Sequence, residues 1–251
     1  PITIIYALTV IDWRNIWIII SIFIILFLPI VSYFLVKEIK LSSRENDIKF
    51  IKNNIKNWKR SEVIRDYRFI IVALNMLAMP CIVTGIFVYQ SFILTSKNWG
   101  EYIIAQSFMV YSVSSVLTLF VAGYLIDKFT SRKLLIYMNI PLFLGTLVII
   151  YFDAPQTAFL FLGLVGISNG LANLLGSSTW AEIYGVKYIG SIKALTTALM
   201  VFATAFGTAL FGFFIDAGFS IEKIALIAAI AIACSIALLF TIRKKLNPVY
   251  L

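Results

Sequence analysis

One acid and three bases crowd into eleven residues between two long uncharged stretches. Gly123, Asp127, Lys128, Arg132 and Lys133 lie within 123–133, flanked by uncharged residues 102–126 and 134–152. Each flank is long enough to cross a bilayer, which takes about 20 apolar residues for a hydrocarbon core of roughly 30 Å. The segment is therefore a tight hairpin at a membrane surface. Asp127 sits where a helix leaves lipid, with the three cations clustered behind it. Gly123, four residues earlier, is expected to let a neighbouring helix approach closely. The plainer reading of the same residues is a positively charged inner loop that also carries an aspartate.

Other chemistry is scarce. The chain has no histidine, so the commonest metal ligand and proton shuttle is missing. Cys81 and Cys234 both lie in apolar stretches and read as small packed hydrophobes, not as a disulfide or a metal site. With no carboxylate pair inside an apolar stretch and no metal-ligand cluster, the sequence argues against an enzyme, a metal or a cofactor.

The elements that position the hairpin follow from composition. Of 251 residues, 61% are hydrophobic and 13% charged, about half the charged fraction of a soluble domain. Charge-free segments run over 15–36, 69–96, 102–126, 134–152, 154–181, 194–215 and 224–242, giving seven spans. Residues 1–11 are apolar but too short to cross alone. They read as the end of a helix whose beginning is missing, in a chain that is the later part of something longer. Asp12, Trp13 and Arg14 then make a polar, aromatic turn suited to a membrane interface.

Net charge of +9 would suggest nucleic acid in another setting. Here the segments 37–68, 127–133, 182–193 and 243–251 hold eighteen of the 21 Lys and Arg. Only Arg14, Lys97 and Lys223 fall on the other side, so the N-terminus is expected outside and the C-terminus inside. The long loop 37–68 carries Ile48, Ile51, Ile55 and Trp58 at roughly helical spacing. It is either an amphipathic helix on the inner membrane surface or a solvated linker.

The last six spans contain an echo. Gly123, Tyr124, Leu125, Ile126 and Asp127 close the third span on the inside, while Gly212, Phe213, Phe214, Ile215 and Asp216 close the sixth on the outside. The same pattern thus falls on the middle helix of two successive triplets with opposite polarity, as an inverted repeat requires.

The hairpin pattern, G-x-x-x-D-[RK]-x-x-[GS]-[RK]-[RK], resembles the cytoplasmic signature of the major facilitator superfamily of transporters. The whole chain resembles helices six to twelve of such a transporter, with a tail of the fifth. Thr84 and Gly85 through Gln90, the run Trp180 to Gly185, and Gly190 with Ile192 to Leu195 are similar to a bacterial branch. The resemblance implies an all-α membrane protein made of a C-terminal six-helix half plus one preceding helix. Residues 1–36 would end the N-terminal half, 37–68 would be the central cytoplasmic linker, and 69–251 the six-helix transport domain. It implies a secondary transporter in a bacterial inner membrane, moving a small solute by alternating access. Its partners would be that solute, the lipid bilayer and the missing N-terminal half, with no nucleic acid.

In that family the hairpin belongs to a cytoplasmic gate. Asp127 lies about ten helical residues, or roughly 15 Å, from the bilayer midplane, too far to touch a solute held there. At the N-terminus of a helix from the other half it would gain about 0.3–2 kcal/mol from the dipole. Asp127 is thus expected to face an absent neighbour. The resemblance places substrate binding near the midplane, which makes polar side chains on the spans the candidates. Amides are costly in hydrocarbon, so Asn75, Gln90, Gln106, Asn169 and Asn173 lead, joined by Tyr89 and Tyr111. Thr84, Ser112, Ser115, Thr196, Thr204 and Thr208, with Gly163, Gly166 and Gly170, read as packing residues. Pro80 with Gly85 is expected to bend its helix. Lys193 is expected to snorkel to headgroups, and Glu182 is a further option for a gate contact. The absence of charge inside the spans weighs against an organic anion and against a proton relay in this part of the chain.

The rival is a seven-helix receptor, which shares the span count and orientation. Against it stand a last span without lysine and a longest inner loop directly after the first span. That reading also leaves the echo unexplained.

Overall fold

The computed structural model describes residues 11–37 and 56–248. Every regular element among them is helical. Seven helices are long and apolar enough to cross a membrane, and the chain is a multi-pass membrane protein. Their bounds, from Trp13–Tyr33 to Ile221–Lys245, follow the seven uncharged segments. The helix tail expected within 1–11 lies, apart from Ile11, outside the described residues.

The chain divides into two units, Pro1–Asn54 and Ile55–Leu251. The described part of the first is α1 (Trp13–Lys37), a single apolar helix with exposed side chains such as Trp17, Phe23 and Leu26. Of the surface helix expected in 37–68, Ile48, Ile51 and Ile55 lie outside the described residues, and 56–59 are not helical. The short α2 (Arg60–Ile64) follows. Trp58 packs inward: its ring meets Tyr184 edge-on at 5.6 Å, and its backbone N–H donates to the Tyr184 carbonyl at 3.0 Å.

Local breaks shape the second unit. Asp66 caps α3 (Tyr67–Val88) by accepting the Arg68 N–H. The helix is continuous through Pro80 and Gly85 and ends at Tyr89, where α4 (Gln90–Lys97) takes over. The carbonyl of Pro80 accepts the Thr84 hydroxyl at 2.7 Å, one turn on. Next, α5 (Glu101–Phe129) turns into α6 (Ser131–Leu134) through the single residue Thr130, at φ 71. That is a left-handed backbone rare outside glycine.

Pro141 then interrupts the fourth span, so a 3-10 turn (Leu135–Tyr137) precedes α7 (Ile140–Tyr151). Ser168 of α8 (Thr157–Tyr184) fills the gap: its hydroxyl accepts the Leu142 N–H at 3.3 Å and donates to the Met138 carbonyl. A hydroxyl thus bridges the i→i−4 bond that the break leaves open. Helices α9 (Ile189–Asp216) and α10 (Ile221–Ile242) complete the unit.

The most extensive helix pairings are α5 with α8, α3 with α9, α7 with α8, α7 with α10 and α3 with α10. Exchange α3 with α8, α5 with α9 and α7 with α10, and this set maps onto itself. The tight seams obey the logic of small residues in lipid, where van der Waals contact drives association. A side chain on Gly166 or Gly170 would collide with the Tyr111 or Ser115 carbonyl of α5, and one on Gly207 with the Cys81 carbonyl of α3.

At Gly123 the neighbour is farther, with Leu174 Cδ2 3.9 Å from where a Cβ would stand. The close approach expected at the hairpin glycine therefore lies higher in the same seam. Gly123 meets Leu174, four residues past Gly170, while Gly212 meets Tyr89, four past Gly85. The echo of the middle helices thus extends to the helices they touch.

Candidate functional site

A cavity of about 500 Å³ lies among α3, α8 and α9, within the range of small-molecule sites. One face of α8 supplies Asn169, Asn173, Ser177 and Trp180, spaced three and four apart. Helix α3 contributes Met76, Met79, Thr84 and Phe87, and α9 contributes Lys193, Thr196 and Met200. Met76 and Met200 are open to the cavity, while Met79 and Met138 are buried behind its wall. Unbranched thioethers adapt to ligands of varied shape.

Two of the seven solute-binding candidates line the cavity. Asn173 is exposed in it and has no hydrogen-bond partner among the described residues. Asn169 donates from Nδ2 to Ser115 Oγ at 2.9 Å, so half of its amide already ties α8 to α5. Tyr111 stands behind the wall, edge-on to Phe87 at 5.2 Å. Tyr89 and Gln90 form the junction of α3 and α4, beyond the cavity, and Gln106 is exposed on α5 away from it.

Asn75 is fully buried elsewhere. Asn139 Nδ2 donates to the Asn75 carbonyl at 2.6 Å and to its Oδ1 at 3.2 Å, and the Ser235 hydroxyl reaches Oδ1 at 3.4 Å. This amide staples the Pro141 break and α10 to α3. A buried amide is costly unless paired, and here the pair is structural.

Thr84 and Thr196 turn their hydroxyls back to carbonyls of their own helices, at 2.7 and 3.0 Å. The cavity residue least legible beforehand is Lys193. Expected to reach for headgroups, it lies in the second turn of α9 and donates from Nζ to Ser177 Oγ at 2.8 Å. No carboxylate lies within 4 Å of it among the described residues.

The hairpin is built from both sides. Glu182, near the end of α8, accepts the Ser131 N–H at 3.0 Å and the Arg132 N–H at 3.3 Å, capping α6. It also takes the Ser131 hydroxyl and the Arg132 Nε. Arg132 Nη1 then donates to Asn247 Oδ1 at 2.7 Å and to the Leu246 carbonyl at 3.3 Å. Lys128 Nζ lies 5.4 Å from the Phe129 ring centre, and Lys133 is exposed. Asp127 is exposed at the end of α5 with no ion pair or hydrogen bond among the described residues.

A second polar cluster adjoins. Asp66 and Arg68 form a buried pair, Nη2 to Oδ2 2.8 Å, and the Tyr184 hydroxyl donates to Asp66 at 3.1 Å. Arg68 Nη1 reaches the carbonyls of Lys245 and Asn247 at 3.2 and 3.3 Å.

At the opposite end of the unit, Lys97 has a side chain only 1% exposed and meets Asp153 at 2.6 Å and Glu222 at 2.8 Å. Burial by itself pulls the Lys97 ammonium toward the neutral form. The hydrogen bonds and charges of the two carboxylates outweigh it and hold the pKa above the ordinary lysine value. Trp99 Nε1 adds a bond to the Asp153 carbonyl at 2.9 Å. Lys97, counted from sequence as a stray loop cation, is thus the centre of a clasp over three connections. Comparison with protein-family models, with curated proteins and with solved structures finds no match to this chain.

Proposed function

We propose that the six-helix unit is the C-terminal half of a secondary transporter of the major facilitator type, moving a small solute by alternating access. The observation that carries this is the exchange pattern of the fold. The main helix pairings map onto themselves when the two triplets are swapped, down to the matched contacts Gly123–Leu174 and Gly212–Tyr89. An inverted repeat of this kind places the binding site between halves and lets one half rock against the other.

In this reading the basic end faces the cytoplasm, and the cavity of α3, α8 and α9 is this half's share of the solute site. Asn173 and Lys193 supply polar recognition, and the methionines and Trp180 an adaptable apolar wall. Asp127 stands unpaired among the described residues because its neighbour belongs to the other half, where it latches the inner gate. A seven-helix receptor fits less well, because that reading leaves the exchange pattern of the helix pairings unexplained.

The test is single-cysteine labelling of the full-length protein in a Cys81→Ser, Cys234→Ser background. A cysteine at Asn173 should react with an impermeant maleimide from either side of the membrane, and a transported compound found by uptake screening should protect it. Labelling from one side only, unchanged by any compound, would overturn the proposal.

A further inference from the structure

Three cations of the hairpin and the end of α10 share one cavity at the basic end. Arg132 is matched by Glu182, but Lys133, Arg243 and Lys244 have no carboxylate within 4 Å among the described residues. All three are exposed, and all three line one cavity of about 600 Å³ between the hairpin and the end of α10. Thr130 lines it too, and its buried hydroxyl has no hydrogen-bond partner among the described residues. Like charges held together repel, and an unpaired buried hydroxyl is unfavourable. One anion with several acceptor oxygens would relieve both.

What continues from this cavity narrows the anion. The fourth span and α10 carry on one turn deeper as a second groove of about 440 Å³, lined by Ile140, Phe143, Ala233, Ile236, Ala237 and Phe240. Every one of these is apolar. The registers join, since Tyr137 of the first cavity lies three residues from Ile140, and Arg243 three from Phe240. At the junction the Arg243 guanidinium sits 4.5 Å from the Phe240 ring centre. Tyr137 and Phe240 are 59% and 54% exposed, so the groove opens on the outside of the bundle, where lipid would be. A free phosphate would use the cations and leave the groove without purpose. A phosphate carrying an acyl chain uses both.

We propose that this is a binding site for one anionic phospholipid. Its phosphate lies among Lys133, Arg243, Lys244 and the Thr130 hydroxyl, and a chain lies along the α7–α10 groove. The lipid would tie the hairpin to the end of α10, alongside the Arg132 contacts with Leu246 and Asn247. The site rests on the membrane-spanning reading alone and not on transport, so it stands or falls independently of the proposed function.

The test is native mass spectrometry of the full chain, delipidated in detergent and titrated with phosphatidylglycerol or phosphatidylcholine. Phosphatidylglycerol should bind more tightly. Each of Lys133→Ala, Arg243→Ala and Lys244→Ala should weaken it about fivefold, the effect of roughly one interfacial charge, while Lys133→Arg retains it. All three side chains are exposed, so these variants leave the core intact. Ala237→Phe, which fills the groove from an exposed position, should weaken both lipids. Equal affinity for the two lipids, or phosphatidylglycerol binding unmoved by the triple alanine variant, would overturn the site. So would displacement by millimolar inorganic phosphate together with indifference to Ala237→Phe, which would leave a phosphate site alone.

Discussion

The two ends of the six-helix unit are fastened in different ways. At the basic end two arginines share the work. Arg68 and Arg132 both grip the segment 245–247, and their carboxylate partners, Asp66 and Glu182, each cap a helix as well. Every member has several partners, and the Asp66 and Arg68 side chains are 5% and 10% exposed. At the other end one buried ammonium holds two carboxylates that face solvent, Asp153 at 82% and Glu222 at 39% exposed. The first arrangement leaves buried charge behind when a member is lost. The second returns its acids to water. The two ends therefore differ in what the loss of one member should cost.

The sharpest way to break the contrast is Arg68→Met. It strands the buried Asp66 carboxylate with only the Arg68 backbone N–H and the Tyr184 hydroxyl, and it orphans the carbonyls of Lys245 and Asn247. Removing one partner of a buried pair costs about 3–5 kcal/mol. A large drop in melting temperature of the detergent-solubilised protein is expected, and a drop no larger than that of Lys97→Met would erase the distinction between the ends.

Glu182→Ala comes next. It uncaps α6 by freeing the Ser131 and Arg132 N–H groups, but Arg132 keeps Asn247 and Leu246. About 1–3 kcal/mol is expected, with Glu182→Gln recovering part of it, because an amide oxygen still accepts the backbone donors. No recovery in thermal melting would mean that the ion pair, not the cap, carries the contact.

At the opposite end Lys97→Met keeps the buried stem and removes the charge. Asp153 and Glu222 rehydrate, so the loss should be about 1 kcal/mol or less. The same contact has a pH signature. A lysine whose folded pKa lies above its unfolded 10.5 contributes fully below that value and loses the contribution as pH rises through the folded pKa. Wild type should therefore lose stability above about pH 10.5 by a small step absent in Lys97→Met. A step at neutral pH, or one that survives the substitution, assigns it elsewhere.

These contrasts also mark what could be read from sequence. The seven spans were legible because hydrocarbon forces every backbone group into internal hydrogen bonds, leaving long uncharged runs as the only solution. Interruptions inside a run were not. The end of α3 at Tyr89 has no glycine or proline at the cap itself, and the turn before Pro141 depends on Ser168, 30 residues from the Met138 carbonyl it serves. Among the amides, burial cost flagged Asn75 and Asn173 equally, yet Asn75 found Asn139 and Ser235 while Asn173 found open space. Partners distant in sequence decide such cases. Met76 and Met79, three apart on one helix face, were a visible pointer to the cavity; that Met138 and Met200 join them depends on tertiary packing.

The smallest expected effect on stability is the most informative about function. Asp127 is exposed and makes no ion pair or hydrogen bond among the described residues, so Asp127→Asn should leave the stability within about 0.5 kcal/mol of wild type in thermal melting, as surface changes do. If the carboxylate is a latch for a helix of the other half, removing its charge forfeits about 0.3–2 kcal/mol of one gating state. Between states separated by a few kcal/mol that shifts populations several-fold. Solute uptake by the full-length protein should then fall with folding intact, and cysteine labelling at Asn173 should shift toward the inward-open side. Unchanged uptake and labelling would reduce the hairpin to a loop whose charges only set topology. The basic end would then differ from the other in how firmly it is fastened, and not in what it does.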